Sequence, residues 1–135
     1  MVPQGSRYSQ VTEHVDIMPT LLEYAGVRPP YGVQGCSMAP ILRGDKGAGR
    51  EYAMTEFNCY DWGLSVKTLT GKNYKITYYA GEDYGELYDR IRDPEEFINL
   101  WEDEAYAGIK ECLLKKLMDR IIETEDPLPL RIGKY

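Results

Sequence analysis

Apolar residues between His14 and Gly26 recur at the spacing of a short amphipathic helix. Asp16 is predicted as its N-cap, and Pro19 then falls in the first turn, where a missing N–H costs nothing. Gly26 suits the left-handed conformation that ends a helix. The apolar positions follow the 3.6-residue period and share one face, formed by Val15, Met18, Leu21, Leu22 and Ala25.

A second, shorter helix is predicted over residues 37–43, with Ser37 as its cap and Gly44 after its last turn. Residues 28–32 come before it and contain two prolines, so they are expected to form an extended loop. Residues 45–49 are polar and glycine-rich, which is typical of a boundary. We therefore expect residues 1–45 and residues 46–135 to belong to two structural units.

Beyond this boundary the hydrophobic period changes from 3.6 to 2. β-branched and aromatic residues predict strands over residues 52–57, 64–69 and 74–79, with a hairpin turn at residues 70–73. Residues 86–89 predict a fourth, short strand. Because consecutive strands joined by short turns pair with each other, we expect an antiparallel sheet.

The longest predicted helix covers residues 104–123 and is ended by the proline-containing residues 126–129. A small sheet cannot bury its apolar face alone, so this helix is expected to lie across it. The predicted fold class is α+β, a small four-stranded antiparallel sheet packed by a long C-terminal helix and preceded by a short helical segment. The helix face expected to contact the sheet contains Ala105, Ile109, Cys112, Leu113, Leu117, Met118 and Ile121.

Composition narrows the possible functions of this chain. Its 135 residues can bury roughly two-thirds of their unfolded surface, which is enough for one core but not for a large catalytic domain as well. With 16 Lys+Arg against 22 Asp+Glu, the net charge is −6, which argues against binding nucleic acid. No window approaches the roughly 18 to 20 apolar residues of a membrane span, and residues 1–10 do not resemble a signal peptide. A soluble chain is expected.

The chain offers few of the side chains that build metal sites or nucleophilic centres. Three cysteines, Cys36, Cys59 and Cys112, are widely spaced and odd in number, which favours free thiols over a zinc site or a disulfide framework. His14 is the single histidine, too few for a histidine-built metal site. We expect it to be a partly exposed residue at the helix entry.

Five strings match one family in the same order along the chain. They are VDIMPTLL at residues 15–22, QGCSMAPIL at 34–42, VKT at 66–68 with YK at 74–75, ELYD at 86–89 and DPEEFINL at 93–100. Together they cover nearly the whole chain, and they resemble the C-terminal region of a type I, formylglycine-dependent sulfatase of the alkaline phosphatase superfamily. The pairing of E-L-Y-D with D-P-x-E-x-x-N-L is the most specific part of this resemblance.

The resemblance implies a large α/β domain with a calcium ion and a cysteine-derived formylglycine, followed by a smaller domain of antiparallel strands and a helix. Residues 1–45 would then be the end of the large domain, and residues 46–135 the smaller one. The nucleophile motif C-x-P-S-R is absent at all three cysteines. No catalytic residue and no metal ligand is therefore assigned in this chain, and calcium and formylglycine are expected in the full-length parent. The missing N-terminal sulfatase domain is the expected partner.

The strings that carry the resemblance are predicted to have a structural role and not a catalytic one. Asp93 can cap a turn, and Asn99 can close one by bonding to backbone. Loop carboxylates such as Glu95 and Glu96 are expected to be solvated, not an acid/base pair. Lys67 stands where the family more often has arginine, which removes a bidentate donor and weakens the case for a specific anion contact there.

The stretch with the strongest claim to ligand contact is residues 57–62, predicted as an irregular segment between strands. Aromatic rings on loops held by a rigid sheet can stack on sugar faces, and in the resembled family the small domain borders the substrate cleft. The candidate substrate-binding residues are Asn58, Tyr60, Asp61 and Trp62. The alternative is that Tyr60 and Trp62 only pack at the edge of the domain.

Three functions remain open at this level. The first is the C-terminal part of a sulfatase that hydrolyses a sulfated small molecule or glycan, a part not catalytic alone. The second is the same part of a related phosphoesterase or phosphonate hydrolase, which differs in its nucleophile. The third is a stand-alone binding or assembly module. The apolar face of the first helix also predicts a homodimer of the isolated chain, because large exposed apolar patches are rare on monomers.

Overall fold

The computed structural model describes residues 4–45 and 47–125, and for Tyr60 the backbone only. One-turn 3-10 helices lie before the first helix (His14–Asp16), after the first strand (Tyr60–Trp62) and before the last helix (Glu104–Tyr106). The predicted helix stop at residues 126–129 lies outside the described residues. The main elements confirm the α+β class and are α1 (Ile17–Tyr24), α2 (Ala39–Leu42), β1 (Tyr52–Cys59), β2 (Leu64–Gly71), β3 (Tyr74–Tyr79), β4 (Gly85–Asp89) and α3 (Ala107–Glu123).

The four strands form one antiparallel sheet in the order β1-β2-β3-β4. The register places Leu69 between Met54 and Ile76, and Ile76 opposite Leu87. Strands β1 and β2 are each two residues longer than predicted. The predicted turn at residues 70–73 is correspondingly shorter, because residues 70 and 71 still pair with β1.

The core lies between this sheet and α3. Leu113 and Leu117 of α3, each 3% exposed, pack on the apolar residues of one sheet face together with Trp101. A Cβ on Gly85 would lie 2.4 Å from the ring of Trp101, so only glycine allows the ring this close to β4. The other buried members of the core are Leu69, Ile76 and Leu87.

Three positions on the predicted buried face of the last helix are exposed. Ala105, in the 3-10 turn before α3, and Cys112 are exposed, and Met118 is 58% exposed. Cys112 and Met118 each lie next to a buried leucine, and one step along a helix rotates a side chain by about 100°. The prediction was therefore too broad, and the face that contacts the sheet is a narrow stripe centred on Leu113 and Leu117.

The N-terminal part is held together by Thr20, which is 5% exposed. Its hydroxyl donates to the carbonyl of Asp16 and accepts the N–H of Met38 at 2.8 Å, linking α1 to the segment before α2. Gly26 has a φ of +70°, as predicted for the helix end. Helix α2 is shorter than predicted, and Ser37 Oγ accepts the N–H of Ala39 at 3.1 Å.

A helix that crosses a membrane must be long and apolar. Within residues 4–45 and 47–125, no helix is long and apolar enough to cross a bilayer.

Candidate functional site

The predicted ligand-contacting stretch lies at the turn between β1 and β2. Residues 57–59 belong to β1, so the irregular part is only the 3-10 helix Tyr60–Trp62 and the glycine after it. Gly63 has a φ of +62°, the left-handed conformation that lets the chain reverse into β2. The irregular segment is shorter than predicted because the pairing of the two strands continues to the end of β1.

The candidate residues at this turn differ in what they contact. Trp62 is 79% exposed, and Asp61 beside it is also exposed. Asn58 is engaged within the hairpin, because its Oδ1 accepts the hydroxyl of the facing Ser65 at 2.7 Å. The side chain of Tyr60 lies outside the described part of the chain. Trp62 and Asp61 are thus the members most accessible to a ligand.

Lys67 lies on the neighbouring sheet surface and is paired. It faces Glu56 across the β1–β2 ladder, and its ammonium contacts the Glu56 carboxylate. The lysine is about a quarter exposed and the glutamate nearly half. Because the carboxylate neutralises the ammonium, this position presents an ion pair and not a single cation to a ligand.

Asp16 is part of a buried ion-pair cluster that the sequence analysis missed. It occupies the N-cap position of α1, as predicted, but its side chain is 3% exposed and makes no capping hydrogen bond to α1. Its carboxylate accepts the N–H groups of Cys36 and Glu13, each at 2.8 Å, and contacts the guanidinium of Arg50. The signal that could have found it is the spacing Glu13-x-x-Asp16, which resembles a capping box.

Glu13 extends this cluster to the far end of the chain. Its carboxylate lies 2.9 Å from Arg50 and 2.9 Å from Arg120, and it accepts the N–H of Met54 at 2.7 Å. Two carboxylates and two guanidinium groups therefore meet where the N-terminal segment, β1 and α3 converge. We call Glu13, Asp16, Arg50 and Arg120 the four-charge cluster.

A cavity of about 440 Å³ opens beside the four-charge cluster. Exposed His14 lies at its wall, together with Gln34, Glu56 and Thr124. Gln34 is held there by a hydrogen bond from its amide to the carbonyl of Thr124. The lining is a mixture of hydroxyl, amide, imidazole and carboxylate groups, which suits hydrogen bonding to a polar ligand.

Asn99 and Asp93, expected to have structural roles, both hydrogen-bond to backbone groups. Asn99 Oδ1 accepts the N–H groups of Leu87 and Trp101, each at 3.0 Å, and its Nδ2 donates to the carbonyl of Gly85 at 2.9 Å. Asp93 Oδ2 accepts the N–H of Ile98 at 2.8 Å. These contacts tie the segment after β4 to β4 itself.

Glu96 departs from the prediction of a solvated loop carboxylate. Its φ of +57° is unusual for a residue other than glycine. Its carboxylate forms ion pairs with Lys75 and Arg90 and is about a quarter exposed. Lys75 lies on β3, 21 residues before Glu96, and the period of the local sequence does not indicate this pairing. Arg90 lies in the turn directly after β4.

Two tyrosines share one carboxylate on the sheet face opposite α3. Tyr79 and Tyr84 donate their hydroxyls to Glu86 Oε1 at 3.1 and 3.2 Å, and their ring centroids lie 5.3 Å apart. Burial, followed by the hydrogen bond and the charge of Glu86, raises the pKa of Tyr79 to about 12. Tyr79 therefore remains a neutral donor to Glu86 well above neutral pH.

A metal centre needs several ligand side chains close together. Among residues 4–45 and 47–125, no three His, Cys, Asp or Glu side chains lie together so that they could hold a metal ion. The calcium ion implied by the sequence resemblance stays an expectation for the full-length parent.

Comparison with curated proteins gives a consistent set of relatives. The Δ4,5-hexuronate-2-O-sulfatase of Bacteroides thetaiotaomicron is 34% identical over 115 residues, which is 83% of this chain and 24% of that protein. The N-acetylglucosamine-6-O-sulfatase of the same organism is 30% identical over 131 residues, or 92% of this chain and 23% of that protein. The chain thus spans about a quarter of the length of these relatives.

Solved structures show the same architecture. BT4656, in complex with its substrate D-glucosamine-2-N,6-O-disulfate, matches 98% of this chain and 28% of its own, with a TM-score of 0.83 and 25% identity. The phosphonate monoester hydrolase of Agrobacterium radiobacter matches 90% of this chain and 27% of its own, with a TM-score of 0.80 and 26% identity.

A family-wide comparison covers more of the chain than any single motif. The sequence model described as N-sulphoglucosamine sulphohydrolase, C-terminal, matches residues 1–123. The chain therefore belongs to this family and is a C-terminal region of the sulfatase type, within the alkaline phosphatase superfamily.

Proposed function

We propose that the longer protein containing this chain hydrolyses sulfate esters of sugars, and that this chain completes its fold and borders its substrate cleft. The observation that carries the proposal is the family match over residues 1–123. The printed names of the similar proteins support sugar substrates, since they include a hexuronate sulfatase and a complex with a sulfated glucosamine. The nucleophile, as formylglycine, and the calcium ion would come from the upstream region.

The proposed division places residues 1–45 at the end of the large domain and residues 46–135 in the smaller one. Support comes from α1, whose apolar residues Val15, Met18 and Leu21 are 49, 47 and 64% exposed. They line an open cavity of about 630 Å³ with residues 30–35. A patch of this kind calls for a covering partner, and the missing N-terminal domain is the partner we propose. In the isolated chain, a second copy would cover it.

The turn between β1 and β2 is the part proposed to reach the substrate. Trp62, with 79% of its surface exposed, offers a ring face to a sugar, and Asp61 offers a hydrogen-bond acceptor for hydroxyls. Asn58 would hold the turn in place, because it is already bonded to Ser65. Tyr60 remains part of the proposed site by its position in the same 3-10 helix.

A second candidate activity is phosphonate or phosphate ester hydrolysis. It is favoured by the phosphonate monoester hydrolase of Agrobacterium radiobacter, whose structural match nearly equals that of the sulfatase complex. The third possibility, a stand-alone binding module, would have no catalytic region in the same protein.

The decisive experiment is to read the coding sequence upstream of this chain and to express the complete product. A C-x-P-S-R string and turnover of an aryl sulfate above that of a phenyl phosphonate monoester would support the sulfatase proposal. The reverse preference would favour the second candidate, and no catalytic region would leave only the third.

A paired variant then tests the substrate-facing turn. Trp62→Ala is expected to lower kcat/KM for a sulfated sugar by about threefold to tenfold, while a small aryl sulfate is turned over unchanged. Phe97→Ala, which removes an 83% exposed aromatic ring from the segment after β4, is the matched control. Equal effects of the two variants on the sugar substrate would contradict a role of Trp62 in substrate binding.

A further inference from the structure

The face of the sheet opposite α3 carries an aromatic row. Side chains alternate between the two faces of a strand, so the neighbours of the core residues lie on this second face. The register places Phe57 opposite Val66, and Val66 opposite Tyr79. Tyr84, the residue directly before β4, continues the line, with its ring centroid 5.3 Å from that of Tyr79. These three aromatic residues and Val66 form the aromatic row, which spans about 15 Å at the usual strand spacing.

A row of polar groups runs directly beside the aromatic row. Thr68 faces Thr55 on one side and Thr77 on the other, and Thr77 faces Glu86. The hydroxyls of Thr68 and Thr77 are hydrogen-bonded to each other at 3.1 Å. Glu86 accepts both tyrosine hydroxyls of the aromatic row. Thr55, Thr68, Thr77 and Glu86 form the polar row.

The outer members of the two rows are accessible, whereas their middle members are not. Phe57 is 54% and Tyr84 is 51% exposed, but Val66 is only 8% and Thr77 only 4% exposed. At the opposite end of the sheet, residues 9–12 and Pro94 border a cavity over Thr70. The aromatic row lies at the end of the sheet that carries the turn with exposed Trp62.

We propose that the aromatic row and the polar row form a glycan-binding surface separate from the site where the sulfate ester reacts. A pyranose ring has an apolar C–H face and an equatorial rim of hydroxyls. The ring faces would stack on Phe57 and Tyr84, and the hydroxyls would bond to Thr55 and Glu86. A row that crosses all four strands accommodates more than one sugar ring, so the ligand is a chain and not a monosaccharide.

The charges on this face favour binding of the parts of such a glycan that carry no sulfate groups. Lys75, on the row beyond the polar row, is already paired with Glu96. The chain as a whole carries a net charge of −6. The surface therefore lacks what would attract a sulfate group, and it is suited to stretches of the polymer that carry none.

The shape of the surface favours a glycan over a protein partner. A stable protein interface buries about 800 Å² on each side and has an apolar centre. The aromatic row has the polar row on one side and, on the same face of β1 and β2, half-buried Cys59 and Leu64 on the other. Its two most exposed rings, Phe57 and Tyr84, lie at the ends of the row, next to Thr55 and Glu86 of the polar row. Rings that alternate with polar groups fit a linear polymer of sugar rings better than they fit the apolar centre of a protein interface.

Affinity electrophoresis of the complete 135-residue chain tests this inference, and it needs no enzymatic activity. The gels contain hydroxyethylcellulose or chemically desulfated heparin, and an empty gel is the reference. Retardation of the unmodified chain is expected in at least one polymer. Phe57→Ala and Tyr84→Ala are each expected to weaken binding about threefold to tenfold, whereas Tyr84→Phe, which keeps the ring, should bind as the unmodified chain does.

Phe97→Ala serves as the control, because it removes an even more exposed aromatic ring, 83% exposed, from another surface. The inference is overturned if neither polymer retards the unmodified chain. It is also overturned if Phe57→Ala and Tyr84→Ala behave like the control. A fall in mass by light scattering in Phe57→Ala alone would identify the surface as a protein interface, and this too would overturn it. None of these results depends on whether the longer protein is a sulfatase.

Discussion

The carboxylate of Glu13 lies 2.9 Å from the guanidinium of Arg120, although 107 residues separate the two in the chain. Their side chains are only 7% and 18% exposed. The same carboxylate pairs with Arg50, which in turn contacts Asp16. The N-terminal segment is thus joined to the sheet and to α3 by buried charges and not by apolar contacts alone.

Neutralising Glu13 should strongly lower the free energy of unfolding. Glu13→Gln removes the buried carboxylate shared by Arg50 and Arg120 and leaves Arg120 paired only with the exposed Glu123, and breaking a buried pair costs roughly 3 to 5 kcal/mol. Urea denaturation measures the loss. The matched control is Glu23→Gln, which breaks the exposed pair with Arg43 and should change the free energy of unfolding far less, because solvent screens an exposed ion pair. Equal losses would show that the four-charge cluster does not stabilise the fold.

Truncating Leu117 tests the packing of α3 on the sheet. Leu117 is 3% exposed in the core, so Leu117→Ala should lower the free energy of unfolding by about 2 to 5 kcal/mol. Met118→Ala removes a neighbouring side chain that is 58% exposed and should change it by no more than about 0.5 kcal/mol. If the two variants melt at the same temperature, α3 does not pack as described.

Alkaline pH should weaken the fold through Tyr79. Its pKa is raised from 10.0 to about 12 by burial and by Glu86, so the folded state favours the neutral phenol. This contribution is fully present below pH 10 and is lost as the pH rises towards 12. The stability of Tyr79→Phe, measured in urea, should therefore fall less over this range than that of the unmodified chain.

Tyr31→Phe is the control for the alkaline experiment, since Tyr31 is 89% exposed. Its stability should follow that of the unmodified chain. In absorbance titration at the phenolate band, the step that Tyr79→Phe removes should lie near pH 12. If the titration step that Tyr79→Phe removes lies near pH 10 instead, the raised pKa of Tyr79 is contradicted.

The apolar face of α1 predicts self-association of the isolated chain. Leu21 is 64% exposed in that face, and a two-fold contact would bury it against its own copy. Light scattering should give the mass of a dimer for the unmodified chain and of a monomer for Leu21→Glu. Glu23→Gln, altered elsewhere on the same helix, should remain a dimer. A monomeric unmodified chain would disprove the dimer.

The isolated chain is expected neither to hydrolyse aryl sulfates nor to bind calcium tightly. Its sequence has no C-x-P-S-R string, and the described residues provide no cluster of metal ligands. Aryl sulfate assays and calcium titration calorimetry measure both. Turnover by the pure chain that disappears in Cys59→Ala would place a nucleophile within it, against this prediction.

The order of the elements and the core leucines could be predicted because they depend on local periodicity. Residues 104–123 were predicted as one helix, and they form a 3-10 turn followed by α3. Asn99 was recognised because its bonds reach nearby backbone. Leu117 was correctly expected in the core, whereas Met118, one position further, was not distinguished from it by period alone.

The four-charge cluster could not be predicted because its partners come from distant parts of the chain. Nothing near Asp16 in the sequence indicates Arg50, and nothing near Glu13 indicates Arg120. The extent of the β1–β2 turn was also missed, since Asn58 is held in a strand by its cross-strand neighbour Ser65. The substrate contacts proposed for residues 58–62 stay predictions.

The four-charge cluster determines where this polypeptide can be divided for expression. Residues 45–49 look like a natural cutting point for isolating the proposed smaller domain. A protein started there would lose Glu13 and Asp16, the two carboxylates that Arg50 contacts, and Arg120 would keep only its pair with exposed Glu123. Met54, in β1, would also lose the acceptor of its N–H. A stable protein of this kind therefore needs to begin upstream of Glu13.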